Sequence, residues 1–184
     1  MIVHAMISSC LDYCNSLLYG LPNNVLKKYQ MVQNAAAKVI CKARKYEHVT
    51  PFFLELHWLP VYYRIQFKIL LLTYKCLNGQ GAEYLCALLS VHSSKRELKS
   101  SVQNLLYIPR TVFKSCGDRA FSFAAPTLWN SLPVHIKNAK TVESFKSGLK
   151  TYLFAKAFQK KVSTLINSYV SIYKMLLVNF NNVY

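Results

Sequence analysis

The 184-residue sequence predicts a mainly α domain, several helices joined by short connections, with at most a short β element near 105–113. Three observations carry this expectation. Hydrophobic residues make up 53% of the chain, enough to furnish a core. Glycines number five and prolines six, too few for a many-turned β fold. Apolar residues recur at helical spacing in several long segments.

Taken in order, Met1 to Tyr19 reads as the end of a helix followed by a compact turn, stopped at Gly20 and Pro22. Asn24 is expected to cap a helix running to about Lys45. Val25, Tyr29, Val32, Ala36 and Val39 give that helix one apolar face, with Lys27, Lys28, Lys38 and Lys42 largely off it. Lys42, Arg44 and Lys45 close it, where cations complement the helix dipole. Thr50 and Pro51 start a short helix through His57. Pro60 starts a longer one ending near Asn78, with Gly79 as its C-terminal cap and Ile65, Ile69, Leu72 and Cys76 as its buried stripe.

A short helix is expected over Glu83 to Leu89, then an exposed polar loop over Ser90 to Asn104. Leu105 to Phe113 alternates enough for a short strand, which Pro109 confines to an edge or a bend. Asp118 is placed as the N-cap of a helix through Ala125. Pro126 interrupts that helix, and Thr127 to Ser131 adds one turn. Thr141 caps an amphipathic helix to about Phe158, with Val142, Phe145, Leu149, Tyr152 and Leu153 packing inward. Residues 159–184 differ in character, with asparagines set among tyrosines. The expected organisation is a helical region over 1–158 and an unrelated tail over 159–184, either one helix or poorly ordered.

Charge is lopsided. Lysine and arginine total 23 against seven acids, a net charge of +16. Residues 1–92 carry nine basic and four acidic side chains; residues 93–184 carry fourteen and three. Such a chain attracts polyanions, and nucleic acid is the partner this balance suggests. The candidate phosphate contacts fall into three groups: Lys38, Lys42, Arg44 and Lys45; Arg64, Lys68 and Lys75; and Lys137, Lys140, Lys146 and Lys150. Arg110 and Arg119 follow turn residues and join the set, with carboxylate pairing as their alternative. Binding of this kind needs cations on a scaffold and no sequence readout, so RNA and DNA are both candidates. Trp58 and Trp129, flanked by apolar residues and prolines, read as packing anchors.

Catalytic and metal chemistry find no support in the residues. Two-metal polymerisation needs clustered aspartates, and the chain has only Asp12 and Asp118, both read as structural. Cys10 and Cys14 could share a helix face, but no second pair has zinc spacing. No cofactor is implied. His57 and His135 are isolated, and His57 beside Trp58 reads as a packed pair. The six cysteines lack framework spacing and read as free thiols of an intracellular protein, with the nucleus among its compartments. Lys68 and Lys75 break the longest apolar runs, so no membrane span is expected.

Five blocks resemble one family. They are Leu11–Pro22 (LDYCNSLLYGLP), Val32–Ile40 (VQNAAAKVI), Leu56–Gly79 (LHWLPVYYRIQFKILLLTYKCLNG), Gly117–Pro133 (GDRAFSFAAPTLWNSLP) and Ser144–Phe154 (SFKSGLKTYLF). In this order they resemble the region that follows the reverse transcriptase domain in LINE-type (non-LTR) retrotransposon polyproteins, over about residues 3–158. The resemblance implies a thumb-like helical region that follows the palm of an RNA-directed DNA polymerase and helps hold template and nascent DNA. It also implies that Met1 is an internal methionine or a gene-model start, and that polymerase modules belong upstream. In this sequence Gly81–Leu85 (GAEYL) departs from the family's more usual Ala-Pro-x-Tyr-Leu. The expected function is a non-catalytic fragment that retains RNA or DNA binding through basic helix faces. Two readings stay open beside it: a module that only packs against the polymerase, and a relic reading frame with no independent activity.

Overall fold

The computed structural model describes residues 2–91, 104–111 and 114–158. The expected loop over 92–103, the end of the expected strand and the 159–184 tail lie outside the described residues. The chain is mainly helical. Its elements are α1 (Ile2–Asp12), a 3-10 turn (Asn15–Leu18), α2 (Asn23–Ile40), α3 (Thr50–Glu55), α4 (Val61–Leu77), α5 (Glu83–Cys86), α6 (Lys114–Gly117), α7 (Phe121–Asn130) and α8 (Val134–Lys137). A last helix, α9, spans 142–158.

Helix α4 is the hub. It packs on α1, the 3-10 turn, α2, α5 and α7. Pro60 fixes the chain's entry, and Val61, Ile65, Ile69, Leu70, Tyr74 and Cys76 are buried along it. Its apolar residues therefore serve two sides. Val61, Ile65 and Ile69 meet Ala124 and Ala125 of α7, with Leu18, Tyr19 and Leu26 against them. Leu70 and Tyr74 meet Trp129, Leu132, Phe145, Leu149 and Leu153. Tyr74 stacks on Phe145, with ring centroids 4.2 Å apart, and its hydroxyl donates to the Ala139 carbonyl at 2.7 Å. Helix α9 meets expectation: Phe145, Leu149 and Leu153 are fully buried, and Thr141 Oγ1 accepts from the Ser144 amide at 3.2 Å.

The face that α2 buries is shifted from the expected one: Ala36 of the expected stripe is buried, but Val32 and Val39 are exposed, and Gln33 and Ala37 are buried instead. Two effects outweigh the apolar stripe. Ala36 and Ala37 let α2 approach Phe53, Trp58 and Phe158 closely. Gln33 Nε2 donates to the Leu59 carbonyl at 2.8 Å, and Gln30 Oε1 accepts from the Val61 amide at 3.0 Å. These glutamines satisfy the backbone on both sides of Pro60, where a helix start would otherwise leave orphan groups. Nor does α2 begin with an Asn24 cap or reach Lys45: Pro22 holds the N-cap position, and the helix ends at Ile40.

Three helices close with the same carbonyl pattern. Gln80 bonds back to Lys75, Ala43 to Lys38 and Trp58 to Phe53, each spanning five residues. The left-handed residue at each end is Gly79 (φ 69°), Lys42 (φ 50°) and His57 (φ 51°). Gly79 adopts this conformation freely; Lys42 and His57 carry a Cβ penalty there.

No strand forms among the described residues. One antiparallel bridge joins Val91 and Leu106, and the rest of 104–111 is held by side chains. Asn130 Oδ1 accepts from the Leu106 amide and Asn130 Nδ2 donates to the Leu106 carbonyl, both at 2.9 Å. Trp129 Nε1 donates to the Asn104 carbonyl at 2.9 Å. Thr111 packs on Gly117, where an added Cβ would lie 2.6 Å from Thr111 Cβ, and its hydroxyl donates to Asp118 at 2.8 Å. Asp118 is therefore a loop tether, and Ala120 holds the N-cap position of α7. Pro126 sits fully buried inside a continuous α7, without the expected interruption.

Candidate nucleic-acid interface

The first basic group lies where α2 turns toward α3. Lys42, Arg44 and Lys45 are exposed there. Lys38 is half-buried, and its ammonium donates to the Lys45 carbonyl, tying the turn back to the helix. The Arg44 amide donates to Glu47 Oε1 at 3.2 Å, which closes the turn, and Arg44 is exposed on it. Lys45 lies 5.9 Å from the Tyr46 ring centroid, and Tyr46 is 90% exposed. A cation beside an open aromatic face is a fitting contact for a phosphate and its base.

The second group borders an open cleft of about 430 Å³. Helices α1, α4 and α9 and the α3–α4 junction line it, with Lys68 and Lys150 among its walls. Sequence placed these two lysines in separate groups; the fold brings both to one cleft. Arg64 is also in this wall but is committed elsewhere. Its Nε donates to Asp12 Oδ1 at 2.8 Å and its Nη2 to Asp12 Oδ2, a bidentate pair joining α4 to α1. Only 16% of the Arg64 side chain is exposed. It is thus a tie between helices rather than an open phosphate contact. His57 at the cleft is exposed and stacks on Phe154, with centroids 5.9 Å apart, while Trp58 is buried. The expected packed pair is therefore split.

In the third group Lys137 is buried, at 6% exposure, with its ammonium 3.5 Å from the Asn130 carbonyl. Burial pushes its pKa below the usual lysine value. A desolvated ammonium under the surface is no phosphate contact, so Lys137 leaves the candidate set. Lys146 is half-buried and pairs with Glu143 at 3.8 Å. Lys140 and Lys150 are exposed, and Lys75 is half-buried on α4. Arg110 and Arg119 are exposed. The stem of Arg119 lies over Gly20, where an added Cβ would meet Arg119 Cγ at 2.5 Å.

Among the described residues, the ion pairs are Arg64–Asp12 and Lys146–Glu143. Lys42, Arg44, Lys45, Lys68, Lys75, Lys140 and Lys150 thus have no carboxylate within ion-pair distance among those residues. No three His, Cys, Asp or Glu side chains of the described residues converge as metal ligands. No described helix is long and apolar enough to cross a membrane. Sequence reasoning missed the Arg64–Asp12 pair and the Lys137 burial, because both depend on contacts distant in sequence. It also passed over Lys156, exposed and 5.9 Å from the Tyr152 ring centroid. Compared with protein-family models, with curated proteins and with solved structures, the chain has no match in any of the three.

Proposed function

We propose that this domain binds RNA or DNA without sequence preference, as a non-catalytic relative of the region that follows the reverse transcriptase domain in LINE-type polyproteins. The observation that carries the binding is uncompensated surface charge. The chain holds +16, and most described cations of the three basic groups lack a carboxylate partner. Phosphates would supply the missing countercharge and release counterions on binding. The open members are Lys42, Arg44 and Lys45 at the end of α2, Lys68 and Lys150 at the cleft, and Lys75, Lys140, Arg110 and Arg119 around them. The family relation rests on the five sequence blocks, and the nucleus is the compartment that relation favours. No polymerisation step is assigned to this chain: Asp12 is held by Arg64 and Asp118 by Thr111. Fluorescence anisotropy with labelled single strands of mixed sequence tests the reading. Low-salt binding competed equally by unrelated RNA and DNA supports it; absence of binding, or preference for one sequence, contradicts it.

A second reading, a module that packs against an upstream polymerase domain, draws on another face. A groove of about 590 Å³ is lined by Leu17, Ile69, Leu72, Tyr84 and Phe121. Leu17 and Tyr84 are 74% and 72% exposed. Large apolar groups left open at a groove are the usual mark of a missing partner. Sedimentation of residues 1–158 distinguishes the two: a stable monomer weighs against the packing role.

A further inference from the structure

We propose that residues 165–176 dock as an amphipathic helix along an exposed apolar strip of α2. The strip is the part of the expected α2 face that the fold leaves uncovered. Val32 and Val39 are 52% and 64% exposed, and Tyr29 and Ala35 open on the same side of the helix. Steps of three and four residues, from Tyr29 through Val32 and Ala35 to Val39, keep them on one face. The adjacent face turns inward: Gln33 reaches the Leu59 carbonyl, and Ala36 and Ala37 meet Phe53 and Trp58. Helix α2 therefore carries two neighbouring contact faces, of which the described residues fill one. An apolar helix face is stable in water only when something covers it.

The occupant is the chain's own C-terminal segment, because of where the domain releases it. Helix α9 ends with Phe158, which is buried against Ala36 and Ala37 of α2. The chain thus leaves the domain beside the strip. The other apolar groove, with Leu17, Ile69, Tyr84 and Phe121 in its walls, shares no residue with the Phe158 cluster. Residues 159–184 lie outside the described residues, and their sequence supplies the complement. Leu165, Ile166, Tyr169, Ile172, Tyr173 and Leu176 recur at helical spacing. Asn167, Ser168, Ser171 and Lys174 fall opposite them, and no glycine or proline interrupts the segment. The lengths also match. Leu165 to Leu176 spans about 16 Å of helix, and Tyr29 to Val39 about 15 Å. The six residues 159–164 reach up to about 20 Å, enough to turn the chain back along α2. So short a tether holds the segment at an effective concentration on the order of millimolar, which a second copy or a separate protein must exceed.

Hydrogen exchange of the full chain, read by mass spectrometry without nucleic acid, tests the contact. The amides of 165–176 should exchange more than about tenfold slower than unstructured amides, equally at high and low chain concentration. Val32→Asp with Val39→Asp should return them to the unstructured rate, while α4 and α9 keep their protection. Hydroxyl-radical footprinting gives the reciprocal reading, and decides the matter where the α2 substitutions disturb the fold itself. There Ile172→Asp with Leu176→Asp should raise labelling of Tyr29 and leave that of the buried Tyr74 unchanged. Unprotected 165–176 amides in the unmutated chain overturn the proposal. So does protection that survives the α2 substitutions in a folded chain, which puts the segment elsewhere. Protection lost on dilution makes the occupant a second copy and overturns it too, as does Tyr29 labelling that the tail substitutions do not move.

Discussion

Asn130 shows how a single side chain can replace a strand partner. Its amide both donates to and accepts from Leu106, as a neighbouring strand's backbone would. Asn130→Ala should therefore cost about 2 kcal/mol, since it leaves a buried residue's amide and carbonyl without partners. Urea denaturation reads this as a lower midpoint at unchanged slope. Lys137 tests the burial argument in the opposite direction. Its lowered folded pKa means that the unfolded chain holds its proton more tightly. Stability therefore rises as pH climbs through the folded pKa toward the ordinary lysine value, and is reduced below it. Lys137→Met should remove that rise, leave stability at neutral pH no lower, and leave RNA affinity nearly unchanged. A clear loss of affinity would return Lys137 to the surface.

At the scale of elements, the end of α2 combines a structural role with the proposed binding role. Lys42 occupies a left-handed position that glycine fills at the end of α4. Lys42→Gly should raise stability by about 0.5–1 kcal/mol, by relieving the Cβ penalty, while weakening RNA binding. Replacing Lys42, Arg44 and Lys45 together by alanine should flatten the salt dependence of single-strand binding by about 2 in log–log slope. Helices α4 and α9 were legible in sequence because local signals agreed: Pro60 and Gly79 bracket one, and Thr141 with the Phe145–Leu149–Leu153 spacing marks the other. The face of α2 was not, because Gln33 answers a carbonyl 26 residues away. Pro126 misled for a related reason: its burial in the core outweighs the hydrogen bond it cannot make. In the candidate site, residue type and charge were readable, but exposure was not. Arg64 meets a carboxylate 52 positions earlier, and Lys137 is covered by the packing of its neighbours.

Across the whole molecule, the blocks that carry the family resemblance converge on the interior. Leu18 and Tyr19 from the first, Ile65 and Ile69 from the third, and Ala124 and Ala125 from the fourth share one cluster. Gly117, Asp118, Trp129 and Asn130 of the fourth together hold the segment 104–111. These motifs are thus requirements of packing. Of the open cations, Lys42, Arg44, Lys45, Arg110 and Lys140 lie outside these blocks, while Lys68, Lys75, Arg119 and Lys150 lie within them beside the packing residues. The central claim, attraction of phosphates to uncompensated surface charge, is tested most directly by the salt dependence of binding to a single-stranded RNA. Contact with about five phosphates predicts a log–log slope near −3.5. A slope near zero, or no binding at about 50 mM salt, where such contacts are strong, would contradict the account.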